Sequence, residues 1–233
     1  MLFRSMAFKL TWLGHAALAL ETGGYKLLVD PYLSHNPAAT VSADTVEADY
    51  ILVTHGHGDH IGDSVAISQR TGAPVIANAE ICSWLGKKGV STHAQHLGGG
   101  HTYPFGYLKL TLALHGSGLP DGSYGGNPAG LLLTTNTGEK VYMAGDTGLF
   151  GDMALIGEEG LSLAVLPIGD NYTMGPADAL RAVKLLKPQH VIPIHYDTFD
   201  LIRQDAAAWA KEVQSQTGTI VHLLQPGGTF TSE

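Results

Sequence analysis

Residues 54–60 read Thr54-His55-Gly56-His57-Gly58-Asp59-His60, directly after the apolar run Tyr50-Ile51-Leu52-Val53. An apolar run of that length predicts a short buried strand. A loop at the end of such a strand can direct alternate side chains into one concave space. The interleaved glycines let the backbone turn without side-chain clashes. Packing does not call for this composition, because Asn, Ser or Lys would satisfy solubility. Clustered imidazoles and a carboxylate make sense once a cation compensates them, and histidine is the commonest ligand of borderline metals. The stretch is read as a metal-binding loop.

Three later residues sit in the same local setting. His115 follows the apolar run 107–114. Asp146 closes Val141-Tyr142-Met143-Ala144-Gly145-Asp146, and His195 closes Val191-Ile192-Pro193-Ile194-His195. Each is an apolar strand with a donor at its mouth, which is what a site at the rim of packed sheets requires.

The surrounding pattern supplies those sheets. Strands are predicted at 8–13, 17–22 and 25–29, with Gly23-Gly24 as the turn between the last two. A helix at 64–70, a strand at 74–77 and a helix at 80–88 follow. The second half predicts strands at 107–114, 129–135, 140–144 and 161–166, with Thr137-Gly138 as one turn. A helix at 176–186 carries Pro in its first turn, then come a strand at 191–194, a helix at 203–215 and a strand at 219–223. Each half has strands and then helices, without regular βαβ alternation. The expected class is α+β: two mixed sheets packed face to face with helices outside, an αββα sandwich. No linker-like stretch divides the halves, so one domain over residues 1–233 is expected, with residues 1–6 an unstructured extension.

Composition narrows the function. Thirteen basic against 21 acidic residues give a net charge of −8, which speaks against gripping a nucleic-acid backbone. A lone cysteine, Cys82, excludes an intrachain disulfide and fits a reducing compartment. No apolar stretch approaches the ~18 residues of a membrane span, and the start lacks a signal-peptide apolar region. A cytoplasmic protein without stable membrane insertion is expected. A homo-oligomer is compatible with the sequence but not specified by it.

On the H-x-H-x-D-H loop, the later His115, the Gly145-Asp146 turn and His195 after its strand, the sequence resembles the metallo-β-lactamase superfamily. The order and spacing match from about Leu10 to Thr229. Trp12-Leu13-Gly14-His15, Leu28-Val29-Asp30-Pro31, Gly145-Asp146-Thr147-Gly148 and Pro167-Ile168-Gly169-Asp170-Asn171 resemble a branch of metal-dependent hydrolases. That branch is similar to ascorbate-6-phosphate lactonases and, more distantly, to N-acylphosphatidylethanolamine phospholipases. The resemblance implies two divalent metal ions, zinc before manganese or iron. His55, His57 and His115 would hold one, and Asp59, His60 and His195 the other, with Asp146 bridging. It further implies a metal-bound hydroxide as nucleophile, with Asp59 and His195 at the catalytic position and Asp59 able to move the proton.

Around that set, His15 is favoured as a substrate-facing residue or one supporting a ligand, and Asp30 as a carboxylate orienting a ligand imidazole, with a turn-forming Asp as its alternative. Gly116-Ser117-Gly118, Asn171 and Thr173 are expected to border the pocket, and Tyr196 is a candidate oxyanion donor. His93, His96, His101, His190 and His222 have no matching role, and Cys82 reads as a buried apolar residue. The leading function is hydrolysis of a small ester, lactone or phosphodiester. The alternatives are a nucleic-acid-processing metallohydrolase and a non-catalytic, metal-stabilised binding protein. The motif is specific for the site and poorly specific for the substrate.

Overall fold

The computed structural model describes residues 8–232; residues 1–7 and 233, and with them the extension expected at 1–6, lie outside the described residues. Phe8–Gly14 (β1), Ala17–Thr22 (β2) and Tyr25–Val29 (β3) form an antiparallel meander. Tyr50–Leu52 (β4), Val75–Asn78 (β5) and Thr92–Gln95 (β6) then add in parallel. Helices Gly58–Ile61 (α1) and Ser64–Thr71 (α2) connect β4 to β5, and Ala79–Gly86 (α3) connects β5 to β6.

The second sheet repeats this plan. Gly100–Tyr103 (β7), Gly106–Leu112 (β8), Ala129–Thr135 (β9) and Lys140–Met143 (β10) are antiparallel neighbours. After Met153–Gly157 (α4), the strands Leu163–Pro167 (β11), His190–Ile194 (β12) and Ile220–Val221 (β13) add in parallel. Pro176–Leu186 (α5) and Ala206–Gln216 (α6) are their crossovers. Thr229–Thr231 (β14) returns to the first sheet and pairs antiparallel with β1. The orders are β14-β1-β2-β3-β4-β5-β6 and β13-β12-β11-β10-β9-β8-β7.

Two mixed sheets with helices are therefore present as expected, and βαβ alternation is confined to part of each: each sheet is half meander and half βαβ. β6, β7, β14 and α4 were not foreseen. Their sequences, Thr-His-Ala-Gln, Gly-His-Thr-Tyr, Thr-Phe-Thr and Met-Ala-Leu-Ile-Gly, are too short or too polar to carry a period, and β6, β7 and β14 lie at sheet edges. α6 starts later than expected because the Asp205 carboxylate accepts from Ala208 N and caps it.

Alternation along the strands assigns the faces. Phe8, Leu10 and Trp12 of β1, with Leu18, Leu20, Leu27 and Val29, point into the core between the sheets, where they meet Leu108, Leu110, Leu131 and Leu133. Leu28, Ile51 and Val75 point the other way, onto Ile67, Ile81 and Leu85 of α2 and α3. Strands covered on both faces read as continuous apolar runs, which is how β4 and β11 appear in the sequence.

Candidate metal centre

Topology explains why the donors meet. β1, β3 and β4 run in one direction, since β1 and β3 both pair antiparallel with β2 and β4 is parallel to β3. By the same parity β8, β10, β11 and β12 share one direction. Their C-terminal ends carry His15, Asp30, His55, His115, Asp146 and His195, and the interactions below bring these ends to a common rim.

The motif itself is only partly a loop, which corrects the sequence reading. His57 is the N-cap of α1, and His60 N and Ile61 N both donate to His57 O. A single helical turn, not an extended loop, therefore carries Asp59 and His60. Of the two glycines only Gly56 is closely packed: a Cβ there would lie 3.1 Å from Leu119 Cδ2, whereas one at Gly58 would meet nothing within 4 Å. Gly145 answers a similar need beside Asp146. It has φ +61°, and its Cβ would fall 3.0 Å from the Thr54 side chain.

Two donor groups result, and Asp30, His55 and His60 make a third, buried grouping. His55 Nε2 and His115 Nε2 lie 3.0 and 3.2 Å from His57 Nδ1, so three imidazole nitrogens converge. Asp59, His60 and His195 form the second group, with Asp59 Oδ2 3.9 Å from both His60 Nε2 and His195 Nε2. Asp146 Oδ2 stands between them, 3.5 Å from His115 Nε2, 3.3 Å from His60 Nε2 and 3.1 Å from His195 Nε2. His15 joins the second group, its Nε2 3.1 Å from Asp59 Oδ2 and its ring 4.0 Å from that of His195. The His195 amide and the Trp12 indole both donate to His15 O.

Buried polar atoms test whether a metal suits this place. His195 Nδ1 and Asp146 Oδ1 are buried without a hydrogen-bond partner, and His60 Nε2 and His195 Nε2 lie 3.3 and 3.1 Å from Asp146 Oδ2 without hydrogen-bond geometry. Orphaned buried donors and acceptors are costly and call for a partner, and imidazole nitrogens facing carboxylate oxygens suit zinc, manganese or iron. The donor set fits a divalent cation.

Asp30 has a different task. Its carboxylate accepts from Thr54 N and Thr54 Oγ1 and lies 2.8 Å from His60 Nδ1, and Thr54 Oγ1 is 3.0 Å from His55 Nδ1. With its oxygens so engaged, Asp30 orients His60 and leaves Nε2 to face the centre. His15, Asp30 and His195 all have positive φ, 54°, 44° and 55°, conformations that cost energy for such side chains and recur at functional sites.

The electrostatics are strongly coupled. Burial opposes ionisation of Asp146, but the imidazoles of His60 and His195 outweigh it and hold its carboxyl well below the usual range. Burial likewise depresses His60, and the carboxylates of Asp146 and Asp30 overcome it and hold the ring well above its ordinary value. A positive charge is thus favoured between these carboxylates, the charge that a bound cation would provide. Burial, then His60, drives His55 well down, and burial lowers His115. His15 is pushed down to about 4 by burial, against its hydrogen bond with Asp59.

The remaining candidates separate. Asn171, exposed and at φ 49°, and Thr173, whose hydroxyl donates to Met174 O, lie in a loop fastened to Thr147 by Met174 N. Neither is bonded to a donor of the centre among the described residues. Tyr196, the candidate oxyanion donor, stacks its ring on Trp12 at 5.5 Å within the buried core. Ser117 borders the centre, accepting from Gly56 N. His190 and His222 pair with each other at 3.0 Å, and the His93 and His101 rings meet at 4.5 Å, tilted by 40°. Sequence reasoning missed Tyr32 and Phe199, whose rings meet His15 edge-on at 5.8 and 5.5 Å; neither lies in a patterned segment.

Comparison with known proteins follows the same lines. A family model described as the Beta-lactamase superfamily domain matches residues 25–196. A UPF0173 metal-dependent hydrolase of Heliobacterium modesticaldum is 48% identical over 229 residues, covering 95% of this chain and 96% of its own. One from Thermus thermophilus is 49% identical over 216 residues, covering 93% and 95%. Among solved structures, Igni18, a metallo hydrolase from Ignicoccus hospitalis, superposes with a TM-score of 0.88 at 37% identity, over 97% of this chain and 98% of that one.

Proposed function

Since the chain belongs to the β-lactamase superfamily and is a metal-dependent hydrolase, we propose that it works with two divalent cations, zinc favoured, on a small ester, lactone or phosphodiester. His55, His57 and His115 would hold one ion and Asp59, His60 and His195 the other, with Asp146 shared. The observation that carries this reading is the position of Asp146 Oδ2, within 3.5 Å of imidazole nitrogens from both groups. Cations bound there would supply Lewis acidity, lowering the pKa of water and polarising the oxygen of the scissile group.

The chain's own residues would do the rest. Asp30 and Thr54 fix the rings of His60 and His55, so that neither must reorganise during the reaction. Asp59 is the one carboxylate of the set whose side chain is substantially exposed, at 37%. Burial would raise its pKa, but the hydrogen bond from His15 keeps it low and ionised. A carboxylate held that low stays charged and suits a metal ligand, while its exposure, not its pKa, is what would let it hand a proton to solvent. No helix among the described residues is long and apolar enough to cross a membrane.

The test is metal analysis of native and remetallated protein, combined with turnover assays on esters, lactones, phosphodiesters and structured RNA at one salt concentration. About two ions per chain and metal-dependent cleavage of small substrates are expected. Cleavage of RNA alone would move the protein to the nucleic-acid-processing class, and binding without any turnover to the metal-stabilised binding class.

A further inference from the structure

Two imidazoles of the rim are each backed by a threonine hydroxyl at 3.0 Å. Thr54 Oγ1 faces His55 Nδ1, and Thr198 Oγ1 faces His15 Nδ1. The distances are equal, but the direction of donation is not. A hydroxyl has one proton to give. Thr54 gives its own to Asp30 Oδ2 at 2.6 Å, so it accepts from His55 Nδ1 and leaves Nε2 bare to face the centre. Asp30 backs His60 in the same sense, because a carboxylate can only accept. Thr198 has no carboxylate partner among the described residues. Its alternative acceptor is Tyr196 O at 3.4 Å, a longer contact than the one to His15. The shorter contact takes the proton, and His15 Nδ1 is then an acceptor.

His15 is fully buried, which favours a neutral ring. With Nδ1 accepting, the hydrogen of that ring sits on Nε2, which lies 3.1 Å from Asp59 Oδ2 with hydrogen-bond geometry. His60 Nε2 and His195 Nε2 differ, since neither has a hydrogen-bond partner. The rings of Tyr32, Phe199 and His195 hold the plane of His15, but such contacts do not tell one ring nitrogen from the other. Asp59 needs the support. It sits on a single helical turn with its side chain 37% exposed, and among the described residues its carboxylate hydrogen-bonds to His15 alone. Thr198 is itself held in place. His195 and Asp197, at φ 55° and 58°, turn the chain sharply after β12. Asp197 N then donates to Ile202 O, Asp197 Oδ1 accepts from Gln204 N, and Gln204 Nε2 donates to Gly169 O.

We propose that Thr198 is a positioning residue that makes His15 a donor to Asp59 and not a further imidazole ligand. This rests on the two-cation reading above and deepens it. His15 aims Asp59 Oδ2 at the group formed with His60 and His195, while the group of His55, His57 and His115 does not depend on Thr198.

The test uses the full-length, zinc-loaded protein with isotope-labelled histidines. Long-range proton–nitrogen correlation tells a ring nitrogen that carries hydrogen from one that does not, and His15→Gln identifies the His15 signals by their loss. Nδ1 of His15 is expected to be bare and hydrogen-bonded, whereas His55 carries its hydrogen at Nδ1. In Thr198→Val the His15 Nδ1 signal should move toward that of a nitrogen without a hydrogen bond, and Thr198→Ser should restore it. Competition with a chromophoric chelator should show one cation bound about tenfold more weakly in Thr198→Val and the other unchanged. Both should return to wild-type affinity in Thr198→Ser. Hydrogen on His15 Nδ1, an unmoved signal in Thr198→Val, or equal affinities for both cations before and after that change overturns the proposal, as does equal weakening of the two. If the signals behave as expected but the wild type takes up fewer than two cations, the pairing of Thr198 with His15 stands and the two-cation reading falls.

Discussion

Asp30 Oδ2 lies 2.8 Å from His60 Nδ1, and both side chains are almost wholly inaccessible to solvent. A carboxylate placed behind an imidazole fixes the tautomer and the ring plane and raises the basicity of the nitrogen in front. Thr54 extends the same support to His55, so one buried network steadies a ligand from each half of the proposed centre.

Asp30→Ala should therefore weaken metal binding about 10–100-fold without touching the metal. It also leaves Thr54 N and His60 Nδ1 without an acceptor, and a loss of about 3–5 kcal/mol in the metal-free protein is expected. Competition against a chromophoric chelator reads the first effect and urea unfolding the second. Wild-type affinity in the variant would reduce Asp30 to a turn residue before Pro31.

Asp146→Ala should lose both ions, because one oxygen faces both donor groups. His222→Ala, whose partner is His190 at the start of β12, should retain them. Metal analysis after identical purification decides, and two ions retained in Asp146→Ala would end the bridging assignment.

Phe230 tests the closure of the first sheet. It is buried, and its ring meets those of Phe8, His190 and His222 at 5.8, 5.1 and 4.8 Å. Phe230→Ala should cost about 3–5 kcal/mol, the range for a buried aromatic truncated to a cavity. Denaturant titration measures it, and a loss below about 1 kcal/mol would mean that β14 contributes little to the β1 edge.

Cys82 gives a pH prediction away from the centre. Burial pushes its thiol up, and as a thiol it donates to Ala77 O and His93 O. A folded pKa above the unfolded one means that the native state holds its proton longer. This contribution is complete below the unfolded pKa and is lost as pH rises through the folded one. Alkylation at pH 8 should be slow in native protein and fast in urea, and Cys82→Ala should flatten the alkaline decline in stability. Rapid native alkylation would show the thiol to be accessible.

The motif at residues 54–60 and the strand-then-donor form of His115, Asp146 and His195 were legible because they are local: an apolar run ends and a donor follows. The same holds for most strands and the larger helices, whose periodicity lies within a few neighbouring residues. Thr229–Thr231 carries no such signal, since three residues set no period and its pairing with β1 spans almost the whole chain. The helical turn inside the motif was hidden for a similar reason, as four residues with two ionisable side chains form no amphipathic stripe.

The sequence by itself determined which donors exist, that they stand at strand ends, and hence the class of chemistry. Only the tertiary structure decided how they divide into groups, that Asp146 Oδ2 lies between those groups, that the Tyr196 ring stacks on Trp12, and that Tyr32 and Phe199 border His15. The reason is that strand order, strand direction and side-chain facing are set by contacts between residues far apart in sequence, where no local pattern reaches.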